Sequence, residues 1–314
     1  MRVFDALEKM SGGEYPGSVV ALGFFDGVHA GHRAVLCRAV QEARRQGLTP
    51  GVFTFRTGSR RPASKREAAA LLTEEQKWDI FDTLGLEFCL CPPFEEVAAL
   101  QPQDFFTSVL LDKMGAKGLC CGRDYRFGQG AVGNVALLRE LCEAQGIGLT
   151  VVEEVVQGET PVRSTRIREL LLAGEAEQAA RLMGRPLMLD TPVIKGNQLG
   201  RTIGSPTINQ EFPPGFLIPR YGVYATLVQV DGKSYAGVTN VGVKPTVGSP
   251  MPLSETYILD FSGDLYGQRI RVYFLQFLRP EQKFASIDAL KEKIQENAAT
   301  ARGIVEEKKG DFEG

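Results

Sequence analysis

The sequence predicts an α/β domain on a doubly wound parallel sheet, followed by a small all-β barrel with a C-terminal helix. Three observations carry that fold class. From residue 18 to about 155, short apolar runs alternate with amphipathic stretches, the pattern of a parallel sheet covered by helices. After Gly184-Arg185-Pro186 the pattern changes to short strand-like runs divided by turns. The stretch from about Ser286 to Glu307 then places Ile287, Leu290 and Ile294 on one helical face.

In chain order, Val19–Phe25 reads as a buried strand and Arg33–Gln46 as an amphipathic helix through Leu36, Val40 and Ala43. Strand-like Pro50–Phe55, Glu87–Cys91, Gly118–Cys121 and Leu149–Val156 alternate with helices near Thr73–Leu84, Gln103–Lys113 and Val135–Gln145. Two short helices follow, Thr165–Leu172 and Glu175–Met183, and the glycine and proline after them place a domain boundary near 184–190. The expected domains are 1–184 and 185–314. In the second, Val223–Val230, Ser234–Val241, Thr256–Phe261 and Arg269–Phe277 read as strands, with turns at Asp231-Gly232 and Ser262-Gly263-Asp264.

A chain of 314 residues with 43% hydrophobic residues has ample core for two domains. A net charge of −2 gives no electrostatic footprint for nucleic acid or an anionic membrane. No apolar run approaches the ~18 residues of a membrane span, and the N-terminus lacks a signal-peptide layout, so a cytoplasmic protein is expected. Cys37, Cys89, Cys91, Cys120, Cys121 and Cys142 lack zinc-site spacing and read as small core hydrophobes in a reducing compartment.

Both histidines of the chain, His29 and His32, fall in Gly23–His32, GFFDGVHAGH, between the first strand and the first helix. Backbone N–H groups at a helix start lack intrahelical partners and carry partial positive charge, which makes such a turn a phosphate seat. Gly27 and Gly31 let the chain turn tightly and let an anion approach the main chain. Two imidazoles at this spacing can donate to phosphate oxygens as charge builds there. A metal pair or incidental surface histidines are the competing readings, although metal-binding histidines on one helix are typically four apart and no third ligand is evident. Two further stretches stand out: Gly122-Arg123-Asp124-Tyr125-Arg126-Phe127-Gly128 with Gly133-Asn134 after a strand, and Val162-Arg163-Ser164-Thr165-Arg166-Ile167-Arg168. In the latter, Ser164 or Thr165 can cap the following helix and Arg168 lies one turn on, within reach of an anion at that helix end.

Together these motifs resemble the bacterial bifunctional riboflavin kinase/FAD synthetase family, over nearly the whole chain. The H-x-G-H turn matches at His29–His32, the GxDFRFG loop at Gly122–Gly128 with tyrosine for the first phenylalanine, and STxxR at Ser164–Arg168. In the second half, Gly196–Asn209, GNQLGRTIGSPTIN, resembles the kinase's glycine-rich nucleotide loop and its P-T-x-N motif. Gly222-Val223-Tyr224-Ala225, Asn240-Val241-Gly242 with Pro245-Thr246, and Glu255-Thr256 with Leu259-Asp260-Phe261 match as well. The resemblance implies a nucleotidylyltransferase domain that makes FAD and pyrophosphate from FMN and ATP, and a kinase barrel that makes FMN and ADP from riboflavin and ATP. It implies that Gly23, Phe25, Asp26, Gly27, Gly31, Asp124, Asn134, Ser164 and Thr165 bind in the first site, where His29, His32 and Arg168 act on the α-phosphate. In the kinase it implies that Gly196, Gly200, Arg201, Gly204, Pro206, Thr207 and Asn209 hold nucleotide, that Thr207 and Asn209 hold Mg²⁺, and that Glu255 is the catalytic base.

The chain departs from the family pattern at three places. Phe55-Arg56-Thr57-Gly58 and the basic Ser59-Arg60-Arg61-Pro62 stand where F-x-P-H-P is usual, Arg163 replaces a serine, and Asn297 replaces an aspartate. The first two lie near the adenylylation motifs. A kinase with a degenerate first domain is therefore the alternative, and H-x-G-H by itself does not choose the acceptor phosphate.

Overall fold

The structure, a computed structural model, describes residues 1–56, 68–158, 160–196, 205–244 and 251–308. By internal contacts the chain divides into Met1–Ser164 and Thr165–Gly314.

The first unit is built on parallel strands β1 (Arg2–Phe4), β2 (Ser18–Leu22), β3 (Thr49–Phe53), β4 (Phe88–Leu90), β5 (Ala116–Gly122) and β6 (Gly148–Val152). Their order in the sheet is β1-β4-β3-β2-β5-β6. From β2 the chain proceeds outward in one direction through β3 and β4, then returns to lay β5 and β6 on the other side. That reversal beside β2 is the switch point at which open α/β sheets take ligands.

Alternation along the strands buries both faces. Val19, Ala21, Val52, Cys89 and Cys120 pack with Leu36, Ala39, Val40 and Phe81 of helices α1 (Ala30–Gln46) and α2 (Glu74–Thr83). Val20, Leu22, Phe53, Leu90 and Cys121 face the other way. There they meet Phe105, Val109 and Leu138, after a short helix α3 (Phe94–Val97), from a helix that opens as α4 (Pro102–Asp104) and runs on in π form through Phe105–Lys113, and from α5 (Val135–Ala144). The cysteines are unpaired, and five of them are buried in this core, where burial pushes the thiols of Cys120 and Cys121 up to about 12.

The strand expected over Leu149–Val156 ends at Val152 instead, where the acidic pair Glu153-Glu154 follows. Both carboxylates turn outward, Glu153 to Arg123 at 3.7 Å and Glu154 to Arg163 at 2.6 Å. A small hairpin of β7 (Val156–Gln157) and β8 (Thr160–Pro161) follows.

Helices α6 (Ser164–Ala173) and α7 (Ala176–Met183) group by internal contacts with the second unit, ahead of the composition change near Gly184. The last carbonyls of α6 are taken by Arg220, whose N–H donates to Leu171 O at 3.0 Å and whose guanidinium donates to Ala173 O at 3.1 Å. Glu177 of α7 pairs with Lys308 at 2.7 Å.

The second unit's antiparallel sheet comprises β9 (Leu187–Pro192), β10 (Thr207–Glu211), β11 (Gly222–Val230), β12 (Lys233–Lys244), β13 (Met251–Ile258) and β14 (Arg269–Arg279), in the order β10-β13-β12-β11-β14-β9. Its two edges meet. Ile194 N–H donates to Asn209 O at 2.8 Å, and Gln210 Nε2 donates to Thr191 O at 2.7 Å, so the sheet closes as a barrel. Helix α8 (Ile287–Lys308) covers β11 and β12 with Ala298 and Ala301.

One strand is displaced from expectation: Thr256–Phe261 was the sequence pattern, and β13 spans Met251–Ile258. Asp260, at φ 59°, turns the chain out, and Phe261 packs edge-on against Tyr235 at 5.4 Å instead of continuing the ladder. Glu255 consequently sits inside a strand, not at its start.

Inside the barrel, Thr239 Oγ1 of β12 bridges Thr226 Oγ1 at 2.9 Å and Thr256 Oγ1 at 2.8 Å, and all three side chains are fully buried. Thr239→Val keeps the shape and removes the shared hydroxyl from both neighbours. The expected cost is about 1–3 kcal/mol of barrel stability, read from the shift in urea midpoint at unchanged slope.

Candidate active sites

The histidine turn is held in a conformation it would not choose. Phe25 and Val28, neither of them glycine, take φ of 50° and 36°, and Gly27 takes 83°. A β-branched residue in the left-handed region costs about 1–3 kcal/mol and persists only where the surroundings over-determine it. They do so here from three sides. The buried Asp26 carboxylate accepts from Leu71 N–H at 3.0 Å, Asp26 O accepts from Ser164 Oγ–H at 2.9 Å, and Phe24 O accepts from Lys77 Nζ and Thr54 Oγ1, both at 2.9 Å.

His29 is the N-cap of α1, and its Nδ1 accepts from His32 N–H at 3.4 Å. Accepting at Nδ1 leaves Nε2 as the N–H donor of that ring. The two imidazoles stack with centroids 3.6 Å apart and planes 18° apart, and Phe25 meets His32 edge-on at 5.5 Å. Gly31 makes this possible, since a Cβ there would stand 3.3 Å from the His29 ring. The pair therefore lies over the open end of α1, where backbone N–H groups present partial positive charge.

Register puts the second loop beside this turn. Leu22 is opposite Cys121 in the parallel pair β2–β5, so Gly122–Gly128 leaves the same carboxyl edge as Gly23–His32. Asp124 is exposed in that loop, Tyr125 stacks with Phe127 at 5.9 Å, and Asn134 caps α5 through Oδ1 to Leu137 N–H at 3.0 Å. Burial pushes the Tyr125 phenol well above its ordinary range. Gly23, Phe25, Asp26, Gly27, His29, Gly31, His32 and Ser164 thus share one turn and its anchor, with Asp124 and Asn134 on the neighbouring loop. Ser164 opens α6; Thr165 and Arg168 lie on that helix in the second unit. Of the altered loop after β3, residues 57–67 lie outside the described residues.

In the barrel, Asn209 of β10, Glu255 of β13 and Asn240 of β12 stand directly opposite one another across three strands, on one face. Thr207, two residues before Asn209, shares that face and is opposite Tyr257. Gly196 backs the row so closely that a Cβ on it would lie 2.5 Å from Asn209 Nδ2. Pro206 is exposed just before β10, while Gly200, Arg201 and Gly204 lie outside the described residues. Among the described residues no cluster of three or more His, Cys, Asp or Glu side chains is arranged to hold a metal.

Comparison with known proteins divides the chain in the same way. Residues 13–166 match the family model for FAD synthetase and residues 183–305 the model for riboflavin kinase. A bifunctional riboflavin kinase/FMN adenylyltransferase of Pseudomonas fluorescens is 36% identical over 293 residues, 93% of this chain and 94% of that one. The chain belongs to this family. The Escherichia coli K12 member is 34% identical over 305 residues, covering 96% and 97% of the two chains. A solved structure described as a macrolide-efflux protein of Streptococcus pneumoniae is 29% identical with a TM-score of 0.85, over 96% of this chain and 98% of that one. Efflux is that protein's description; among the described residues here no helix is long and apolar enough to cross a membrane.

Sequence reasoning missed two groups beside these family motifs. Lys77, in Glu74-Glu75-Gln76-Lys77, was assigned no role, although it precedes buried Phe81 by one helical turn, the spacing that puts it on the core face. Glu281, which accepts from Asn240 Nδ2 at 3.0 Å, follows β14 in a segment with no periodic signal.

Gly196→Ala should push the Asn209 amide out of its row. Riboflavin phosphorylation is expected to fall roughly 10–10²-fold while FAD formation from supplied FMN stays unchanged, as chromatography of the two reactions run separately would show.

Proposed function

We propose that the protein phosphorylates riboflavin to FMN with ATP in its barrel and adenylylates FMN to FAD with ATP in its parallel-sheet unit, releasing pyrophosphate. The observation that carries this reading is that the two family matches fall one on each sheet, and each sheet contains one constellation of suitable reacting groups.

In the kinase, the riboflavin 5′-hydroxyl attacks the γ-phosphorus of ATP, the bond to the β-phosphate oxygen breaks, and Glu255 accepts the hydroxyl proton. Asn209 and Asn240 flank that carboxylate in register and fix where the hydroxyl sits. Thr207 and Asn209 offer neutral hard oxygens from one strand face, which fits Mg²⁺ that keeps water and phosphate as its remaining ligands. Bound there, the ion would offset phosphate charge.

In the synthetase, the FMN phosphate is already a nucleophile at neutral pH and needs no strong base. Its oxygen attacks the α-phosphorus as the bond to pyrophosphate breaks. The protein's part is alignment and charge stabilisation by His29, His32, Arg168 and the helix-start amides, with Ser164 and Asp26 bracing the turn. The remaining residues of the two motif loops, Gly23, Phe25, Gly27, Gly31, Asp124, Asn134 and Thr165, shape the nucleotide and flavin seat. Gly196, Gly200, Arg201, Gly204 and Pro206 do so for ATP in the barrel. The domains so assigned are 1–184 and 185–314, and the buried free thiols favour the cytoplasm as the working compartment.

Glu255→Gln should keep riboflavin binding and lose ~10²–10⁴-fold in phosphorylation turnover. A variant that retained its rate would remove Glu255 as the base. His29→Ala and His32→Ala should each lower FAD formation ~10²–10³-fold with FMN formation intact, measured by separating riboflavin, FMN and FAD from one reaction. Wild-type protein that stops at FMN under saturating ATP and Mg²⁺ would establish the kinase-only reading.

A further inference from the structure

Lys77 is a charged side chain in the core of the first unit, 3% exposed and belonging to none of the motif stretches. Its Nζ donates to Thr54 Oγ1 at 2.7 Å, to Phe24 O at 2.9 Å and to Phe55 O at 3.5 Å, and it lies over the rings of Phe24, Trp78 and Phe81 at 5.5–5.8 Å. These acceptors belong to the chain leaving β2 and the chain leaving β3, two adjoining strand ends. The contact on Phe24 immediately precedes the strained Phe25–Val28 turn. We propose that Lys77 is a positioning residue for adenylyl transfer, its ammonium tying the histidine turn to the end of β3. This rests on the histidine turn being the adenylyl site.

The chemistry requires the charged form. An ammonium has three N–H donors for three acceptors, whereas the neutral amine has two and directs a lone pair at the third. On deprotonation the Thr54 hydroxyl would have to turn from Phe24 O to that lone pair, which breaks its own bond between the end of β3 and the histidine turn. Burial lowers the Lys77 pKa to about 8, against the opposing pull of Cys89 and Cys91 near β4, of Asp26 in the turn and of Glu74 on its own helix. The folded-state value is below the ~10.4 of a free lysine, so the buried charge costs stability below about pH 8. That cost is relieved as pH rises toward the free-lysine value. Stability of this unit should thus rise across the interval in which the clamp is lost. A lysine kept only for stability would not behave so.

The experiment uses the full chain, with riboflavin phosphorylation in the other unit as internal control, and Lys77→Met and Thr54→Val as variants. FAD formation by wild type should decline through about pH 8, and in Thr54→Val through a lower pH, because an acceptor of the charged form is gone. Lys77→Met should be roughly 10–10²-fold slower in turnover, should lack that alkaline decline, and should phosphorylate riboflavin normally. Imidazole NMR supplies a readout independent of turnover and is simple here, since the chain has only 2 histidines. Their signals should show an inflection near pH 8 that Lys77→Met abolishes. A folded Lys77→Met with wild-type turnover, an alkaline decline shared by that variant, or histidine signals indifferent to pH around 8 would each overturn the proposal. If wild type forms no FAD, the adenylyl reading fails, and the histidine signals still decide whether the clamp exists.

Discussion

The first unit depends on a turn under backbone strain at the point where the sheet reverses. Phe25 and Val28 are held at positive φ because Phe24 and Asp26 are bonded to three separate parts of the chain: Leu71, Ser164, and the Lys77–Thr54 pair. Each bond is worth on the order of 1 kcal/mol, comparable with the strain it opposes. A relaxed turn would carry the same residues and direct its imidazoles elsewhere. The anchors are also sequentially remote, so the turn forms only when the sheet, Leu71 and Ser164 are in place.

The barrel solves its positioning problem differently. The groups proposed to react there come from mid-strand positions whose spacing is fixed by ladder hydrogen bonds, and among the described residues of β10, β12 and β13 none has a positive φ. Rigidity there comes from closure. Gln210, buried between Thr191 O and Ile270 O, joins the sheet's edges immediately beside Asn209.

Much of this was readable from the chain. Leu36, Val40 and Ala43 announced α1 and its buried face, and both histidines fall, as expected, at the strand-to-helix turn that opens it. What was not readable has a common physical cause, which is that its signal is pairwise. Past the end of β6 at Val152 two glutamates pair with Arg123 and Arg163, and β13 begins at Met251, where β12 is long enough to pair with it. Lys77 reads as polar in any local pattern and is buried only because Phe24, Thr54 and Phe55 converge on it. The motif residue Asp26 was legible as important; that its carboxylate braces the chain at Leu71 was not.

The cysteines lead to a consequence of a different kind. Every one lies in the parallel-sheet unit, and Cys89, Cys91, Cys120, Cys121 and Cys142 are sealed in its interior with no thiol in the barrel. Alkylating reagents and peroxide reach these sulfurs only when that unit opens, and a modified sulfur cannot be repacked between sheet and helix without a void or clash. Thiol modification would therefore act as a one-way ratchet on one half of the molecule, converting transient opening into permanent loss of that half while the barrel, which has no thiol, escapes it.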